Sequence, residues 1–164
     1  MTSFKDRQVV VTGGTGALGA AVLDALLQAG ATCHVPYRSK RSIENSPHHG
    51  NARVSFVAAG DLSDETSVTR FYEGLNDLWA SIHLAGGFAV APIARSDKAL
   101  LMGQLETNLV SAYLCSRSAA TALRRMGSGG RIVNVASRQA LENRLGSGAV
   151  AYTIAKAGVA PLTA

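Results

Sequence analysis

The sequence is short of several things. Only two cysteines, Cys33 and Cys115, occur in 164 residues, so there is neither a disulfide framework nor a thiolate metal site. Each reads as a small core filler, and a reducing cytoplasm suits them. Aromatic residues are 5% of the chain, too few for a base-stacking platform. The basic residues behind the net charge of +5 are scattered over several segments, so nucleic acid is not an expected partner. No apolar run approaches the roughly 20 residues of a membrane span, and the opening MTSFKDRQ lacks a signal-peptide core. We therefore expect a cytoplasmic protein with no membrane partner. His48 and His49 have no carboxylate or cysteine spaced to join them; they read as surface loop residues, and no metal is expected.

What is present is glycine, 17 residues of it, in a chain that is 47% hydrophobic and 16% charged. That balance suits one globular domain of the α/β type, spanning residues 1–164. Short apolar runs alternate with helical patterns. QVVVT (Gln8–Thr12) is a continuous β-branched run, as a parallel strand buried on both faces requires. Ala17 to Ala29 carries helical spacing and stops at Gly30. TCHVPY (Thr32–Tyr37) reads as a second strand in spite of Pro36, and RVSFVAA (Arg53–Ala59) as a third. Ser63 is the expected N-cap of a helix reaching about Leu75. ASIHLA is a fourth strand, Ser96 or Asp97 opens one long helix through about Met126, and RIVNVA is a fifth strand. A last helix begins near Gly148–Ala151. This alternation predicts a doubly wound parallel sheet, Rossmann-like.

VVVTGGTGALGAAV sets Gly13, Gly14, Gly16 and Gly19 between the first strand and the first helix. Glycines there let the backbone turn tightly and approach a pyrophosphate, while the helix N-terminus offers free N–H groups to it. A phosphate-binding P-loop is disfavoured, because no Gly-Lys-Ser/Thr follows. At the end of the second strand an acid normally takes the ribose 2′-hydroxyl of NAD. PYRSKR instead has Tyr37 there and Arg38 next, so Arg38, helped by Lys40 or Arg41, is set to neutralise a 2′-phosphate. NADP(H) is expected over NAD(H). Near the end, AYTIAK spaces Tyr152 and Lys156 at i, i+4, on one helix face. A free phenol titrates near 10, poorly matched to neutral pH, and an adjacent ammonium stabilises its phenolate.

With the glycine loop, Asp61, the AGG loop, Asn108, Ser137 and the Tyr152/Lys156 pair in this order, the whole chain resembles the short-chain dehydrogenase/reductases. The resemblance implies hydride transfer between NADP(H) and a small-molecule carbonyl or alcohol, as in a carbonyl reductase. It implies cofactor contacts from Gly13, Thr15, Gly16, Ala17, Leu18 and Gly19 in the phosphate turn. Asp61 would meet the adenine amino group and Leu62 would supply backbone contacts. Ala85, Gly86 and Gly87 would lie beside the inner ribose. Asn108 would organise a proton-relaying water, Ser137 would orient the carbonyl, Tyr152 would be the acid/base, and Lys156 would also hold ribose hydroxyls. It further implies a homodimer or homotetramer, since the long helix carries Leu101, Leu105, Leu109 and Ala112 on one stripe and Val110 and Leu114 off it.

The pattern departs from the family's main branch in places. Ala17 stands where a glycine is usual, and His83–Leu84 where two asparagines are, which is similar to the extended branch of nucleotide-sugar epimerases and dehydratases. GGRIVNVAS and AYTIAKAGVAPLT resemble the main branch. Ser137 and Tyr152 lie 15 apart, longer than typical. The chain ends soon after Lys156, where family members continue through two more strands, a helix and a mobile loop, so it reads as a truncated version with its fifth strand as an open edge. A nucleotide-binding regulator or scaffold without chemistry is the reading from a different class.

Overall fold

The computed structural model describes residues 3–127 and 129–163. Five parallel strands, β1 (Gln8–Thr12), β2 (Thr32–Tyr37), β3 (Val54–Ala58), β4 (Ala80–His83) and β5 (Arg131–Asn134), form one sheet in the order β3-β2-β1-β4-β5. Helices α1 (Ala17–Gln28), α2 (Lys40–Glu44), α3 (Glu65–Glu73), α4 (Lys98–Leu105) and α5 (Ser111–Met126) lie in the crossovers, and α6 (Arg138–Leu141) and α7 (Val150–Ala157) come after β5. The reversal of strand order lies at β1, where the chain goes first to β2 and later to β4. That is the switch point at which ligands of open α/β sheets bind.

β1 shows why its apolar run is unbroken. Val9 and Val11 face a core made with Leu23, Leu26, Leu27 and Val35, while Val10 faces the opposite core of Val68, Phe71, Leu78, Leu114 and Leu123. A strand buried on both faces has no polar side to alternate with. Each fully buried valine contributes about 1.5–3 kcal/mol relative to exposure. Both cysteines sit in these cores as expected, and burial pushes Cys33 up to about 11 and Cys115 up to about 12.

Pro36 is tolerated inside β2 for a specific reason. Cys33 N donates to Arg53 O on the β3 side, so the alternation of the strand turns residue 36 toward β1. There the pairing has already ended at His34. No ladder bond is lost.

Three expectations need correction. The third helix is capped by Asp64, not Ser63: the Asp64 carboxylate accepts from Ser67 N at 2.7 Å. The expected single long helix is two helices, opened by Asp97 and joined through a π turn at Glu106–Val110; α5 ends at Gly127 in the left-handed region (φ 69°). His48 is buried rather than a surface residue, with Nε2 3.2 Å from Ala20 O and 3.5 Å from the Asp24 carboxylate. It pins the segment after α2 onto α1.

The stripe on α4 and the π turn finds a neighbour within the chain. Both pack on α7, where Gly158 leaves room for the methyls of Leu109; a Cβ there would stand 2.8 Å from Leu109 Cδ2. β5 is the outer strand on its side, with Val133 exposed. Among the described residues, no helix is long and apolar enough to cross a membrane.

Candidate active site

The residues singled out in the sequence lie past the carboxyl ends of five neighbouring strands. After β1, the glycine turn is held by Gly16 N donating to Gly13 O at 3.0 Å. Gly13 has φ 68°, and a Cβ on it would stand 2.7 Å from Ala85 N. A Cβ on Gly19 would stand 2.5 Å from Gly14 Cα and closer still to the Gly13 carbonyl oxygen. These two glycines let β1, the start of α1 and the loop after β4 converge. Gly16 occupies the N-cap of α1 without a side-chain cap, and Ala17 and Leu18, both exposed, begin the helix. The first N–H groups of α1 therefore face outward with no side chain answering them.

This turn opens on a cleft of about 290 Å³ lined by Gly13, Thr15, Arg38, Asp61, Leu62, Ala85 and Gly86, among others. Tyr37, Ser39, Ser42, Thr107 and Ser111 line it as well. At its lip Arg38, 78% exposed, stands 3.7 Å from the Asp61 carboxylate. Hydrogen bonds from the backbone and hydroxyl of Ser63 hold the Asp61 carboxyl below the usual carboxylate range, and Arg38 adds to this. A larger groove of about 570 Å³ lies between α3 and the β2–β3 side of the sheet, away from the conjunction of these residues.

Beyond β4, Ala85 N donates to Thr12 Oγ1 at 3.2 Å, tying the loop to β1. Asn108, only 1% exposed, fastens the next residues: Gly87 N donates to its Oδ1 at 3.2 Å and its Nδ2 donates to Gly87 O at 2.9 Å. Nδ2 is also 3.2 Å from Gln104 O. The π turn widens the helix at this point and aims Asn108 at the loop, a distortion often found at functional sites. A Cβ on Gly86 would stand 2.6 Å from Asn108 Oδ1 and 3.5 Å from Lys156 Nζ. Glycine thus leaves room for the ends of the Asn108 and Lys156 side chains to close on the loop.

Past β5, Lys156 Nζ donates to Val135 O at 2.9 Å. Lys156 is 7% exposed, and burial lowers its ammonium pKa from the ordinary value. Ser137, two residues beyond Val135, caps α6, its hydroxyl accepting from Ala140 N at 3.4 Å. Tyr152, one turn before Lys156 on α7, meets the Phe88 ring edge-on, with centroids 4.8 Å apart. The long Ser137–Tyr152 interval holds α6 and a 3-10 turn (Asn143–Gly146), both packed on α7.

His83 is a satisfied strand-end residue. The amide oxygen of Asn134 accepts from its Nδ1 at 2.8 Å, so Nε2 is the acceptor for the Ser81 hydroxyl at 2.9 Å. The Tyr72 hydroxyl lies 2.7 Å from Ser81 Oγ. Burial lowers the His83 pKa to about 4.

A family model described as short chain dehydrogenase matches residues 7–164. The chain belongs to the short chain dehydrogenase family. It is 31% identical to the uncharacterized oxidoreductase YgfF of Escherichia coli, over 94% of this chain and 66% of that protein. It is 30% identical to the cis-4-hydroxycyclohexanecarboxylate dehydrogenase of Sinomonas cyclohexanicum, over 98% of this chain and 66% of the relative. A short chain dehydrogenase of Mycobacterium smegmatis superposes with a TM-score of 0.86 at 25% identity, covering 99% of this chain and 70% of that one. The chain spans about two-thirds of the length of these relatives.

Several residues of this family member's site carry no signal in the sequence. Val135 acts through its backbone carbonyl, and Gln104 through a contact made only once the π turn forms. Phe88 sits in a loop with no periodicity to place it against Tyr152. Ser39 and Ser42 lie in a stretch whose sequence signal is its charge, and only the fold sets them in the cleft.

Proposed function

We propose that this chain carries the cofactor-binding and catalytic core of an oxidoreductase that interconverts an alcohol and a carbonyl by hydride transfer, with NADP(H) preferred. The observation that carries the reading is the convergence at Gly86, which lies against Asn108 and Lys156 and lines the same cleft as Gly13. A dinucleotide fits this cradle because glycine stands wherever a Cβ would obstruct the close approach of turn, helix and loop. When bound, its nicotinamide gives or takes the hydride. Gly13, Thr15 and the first turn of α1 receive phosphate, and Asp61 and Leu62 flank the adenine side. Ala85, Gly86 and Gly87 line the inner ribose. Tyr152 holds the proton exchanged with the substrate oxygen, Ser137 donates to that oxygen to orient it, and Lys156, one turn further along the same helix, contributes its positive charge. Asn108 keeps the loop in register, and a water at its edge extends the proton path.

Arg38 supports the NADP(H) preference: its guanidinium is exposed at the lip, with Ser39 and Ser42 lining the same cleft and no acid at position 37. Asp61 shares that guanidinium, so the preference is a matter of degree. Met102 and Tyr113, exposed on α4 and α5, support a homo-oligomer built on this helical rod, and the free buried cysteines support a cytoplasmic setting.

Tyr152→Phe in the full-length protein should abolish carbonyl reduction while leaving cofactor affinity within about twofold, as expected for a group acting only in the chemical step. Unchanged turnover would refute the reading. Titration with NADPH and NADH should favour NADPH, and Arg38→Asp should reverse the order; equal affinities in the parent protein would reject the preference.

A further inference from the structure

The loop after β4, Gly86–Ala94, reads GGFAVAPIA: nine consecutive residues without one polar side chain. Loops that face water normally carry hydrogen-bonding residues, and this one exposes its large apolar groups instead. Phe88 is 60% exposed, Val90 72% and Ile93 71%. The loop is fastened beside the start of α7, since Val150 N donates to Ala91 O at 3.3 Å and Phe88 rests on the ring of Tyr152. The helix α6 and the 3-10 turn also pack on α7 and add Leu141 and Leu145, both exposed. The charges of α6 cancel locally, because Arg138 pairs with both carboxylate oxygens of Glu142 at 2.9 and 3.3 Å. The apolar loop and the two exposed leucines thus adjoin α7, the helix that bears the phenol.

We propose that the substrate is apolar around its reacting carbon: a secondary alcohol or ketone flanked by hydrocarbon, seated against Phe88, Val90, Ile93, Leu141 and Leu145. This rests on the oxidoreductase reading above. Hydroxyl or carboxylate groups next to the reacting carbon would lose water against the loop, which offers them no side-chain partner, whereas methylenes gain by burial. Arg95 directly follows the loop, and Arg144 lies in the 3-10 turn without the carboxylate partner that Arg138 has in Glu142 among the described ion pairs, so a carboxylated substrate is the alternative to be tested.

The experiment uses the full-length protein with saturating cofactor and methyl ketones from butanone to nonanone. Hydroxylated ketones and keto acids of matched length complete the panel. Both kcat/KM and calorimetric affinity are read. Each added methylene should raise both by roughly fourfold until the wall is covered, and the polar analogues should lose at least tenfold. Phe88→Ser should flatten the rise, and Val90→Ser or Leu141→Ser does so independently if Phe88→Ser fails to fold. Affinity that is flat with chain length, or higher for the hydroxylated or acidic analogues, overturns the proposal. Rising affinity without turnover keeps the apolar wall and refutes the oxidoreductase reading, so the two failures are separable.

Discussion

Gly19→Ala isolates the demand that the glycine turn makes on the chain. Gly19 lies inside α1, where glycine is ordinarily about 1 kcal/mol worse than alanine; by helix propensity alone the substitution should stabilise. The structure reverses the sign. The new Cβ would stand 2.5 Å from Gly14 Cα and 2.8 Å from Gly14 C, and would press on the Gly13 carbonyl. All three atoms are backbone, so no rotamer change relieves them. Restoring ordinary contact needs about 1 Å of displacement of α1 from the turn, and overpacking of this kind costs about 1–3 kcal/mol. After the helix gain of about 1 kcal/mol is offset we expect a net destabilisation of up to roughly 2 kcal/mol, and at least a tenfold loss of dinucleotide affinity. Gly103→Ala is the matched control: it lies within α4 and its Cβ would meet nothing within 4 Å, so it should stabilise by about 0.5–1 kcal/mol. Denaturant midpoints and a cofactor titration measure both. If Gly19→Ala proved as stable as the parent and bound the dinucleotide as well, the close approach at the turn would not be what requires glycine.

The buried polar groups give further expected outcomes. His83 stays neutral in the fold, with its pKa lowered from 6.5 to about 4, so the unfolded chain takes up the proton first as pH falls. Stability should therefore drop between pH 6.5 and 4 by about 3 kcal/mol from this group and no further below; in His83→Gln that increment should be missing from stability-versus-pH curves, and parallel curves would refute it. Asn108→Asp keeps Oδ1 for Gly87 N but sets a carboxylate against Gly87 O and Gln104 O in place of a donor. It should destabilise by about 2–4 kcal/mol, at least as much as Asn108→Ala; a variant of near-parent stability by denaturant unfolding would show that the clamp on the loop contributes little.

Strand and helix order, the glycine turn and the Tyr152/Lys156 spacing were legible from residue order alone, because each depends on local sterics and periodicity. Gly13 and Gly19 come after a β-branched run and open a helix, and i, i+4 spacing sets two side chains on one face wherever a helix forms. Other features arise only when segments distant in sequence meet. The π turn at Asn108 exists with its side chain engaged by Gly87, 21 residues earlier. Lys156 finds a carbonyl at the end of β5, and Arg38 finds Asp61 on the next strand's loop. The burial of His48 depends on α1 passing beside it. Periodicity and propensity describe how a segment folds on itself; partners across the sheet are decided by packing, which no local pattern encodes.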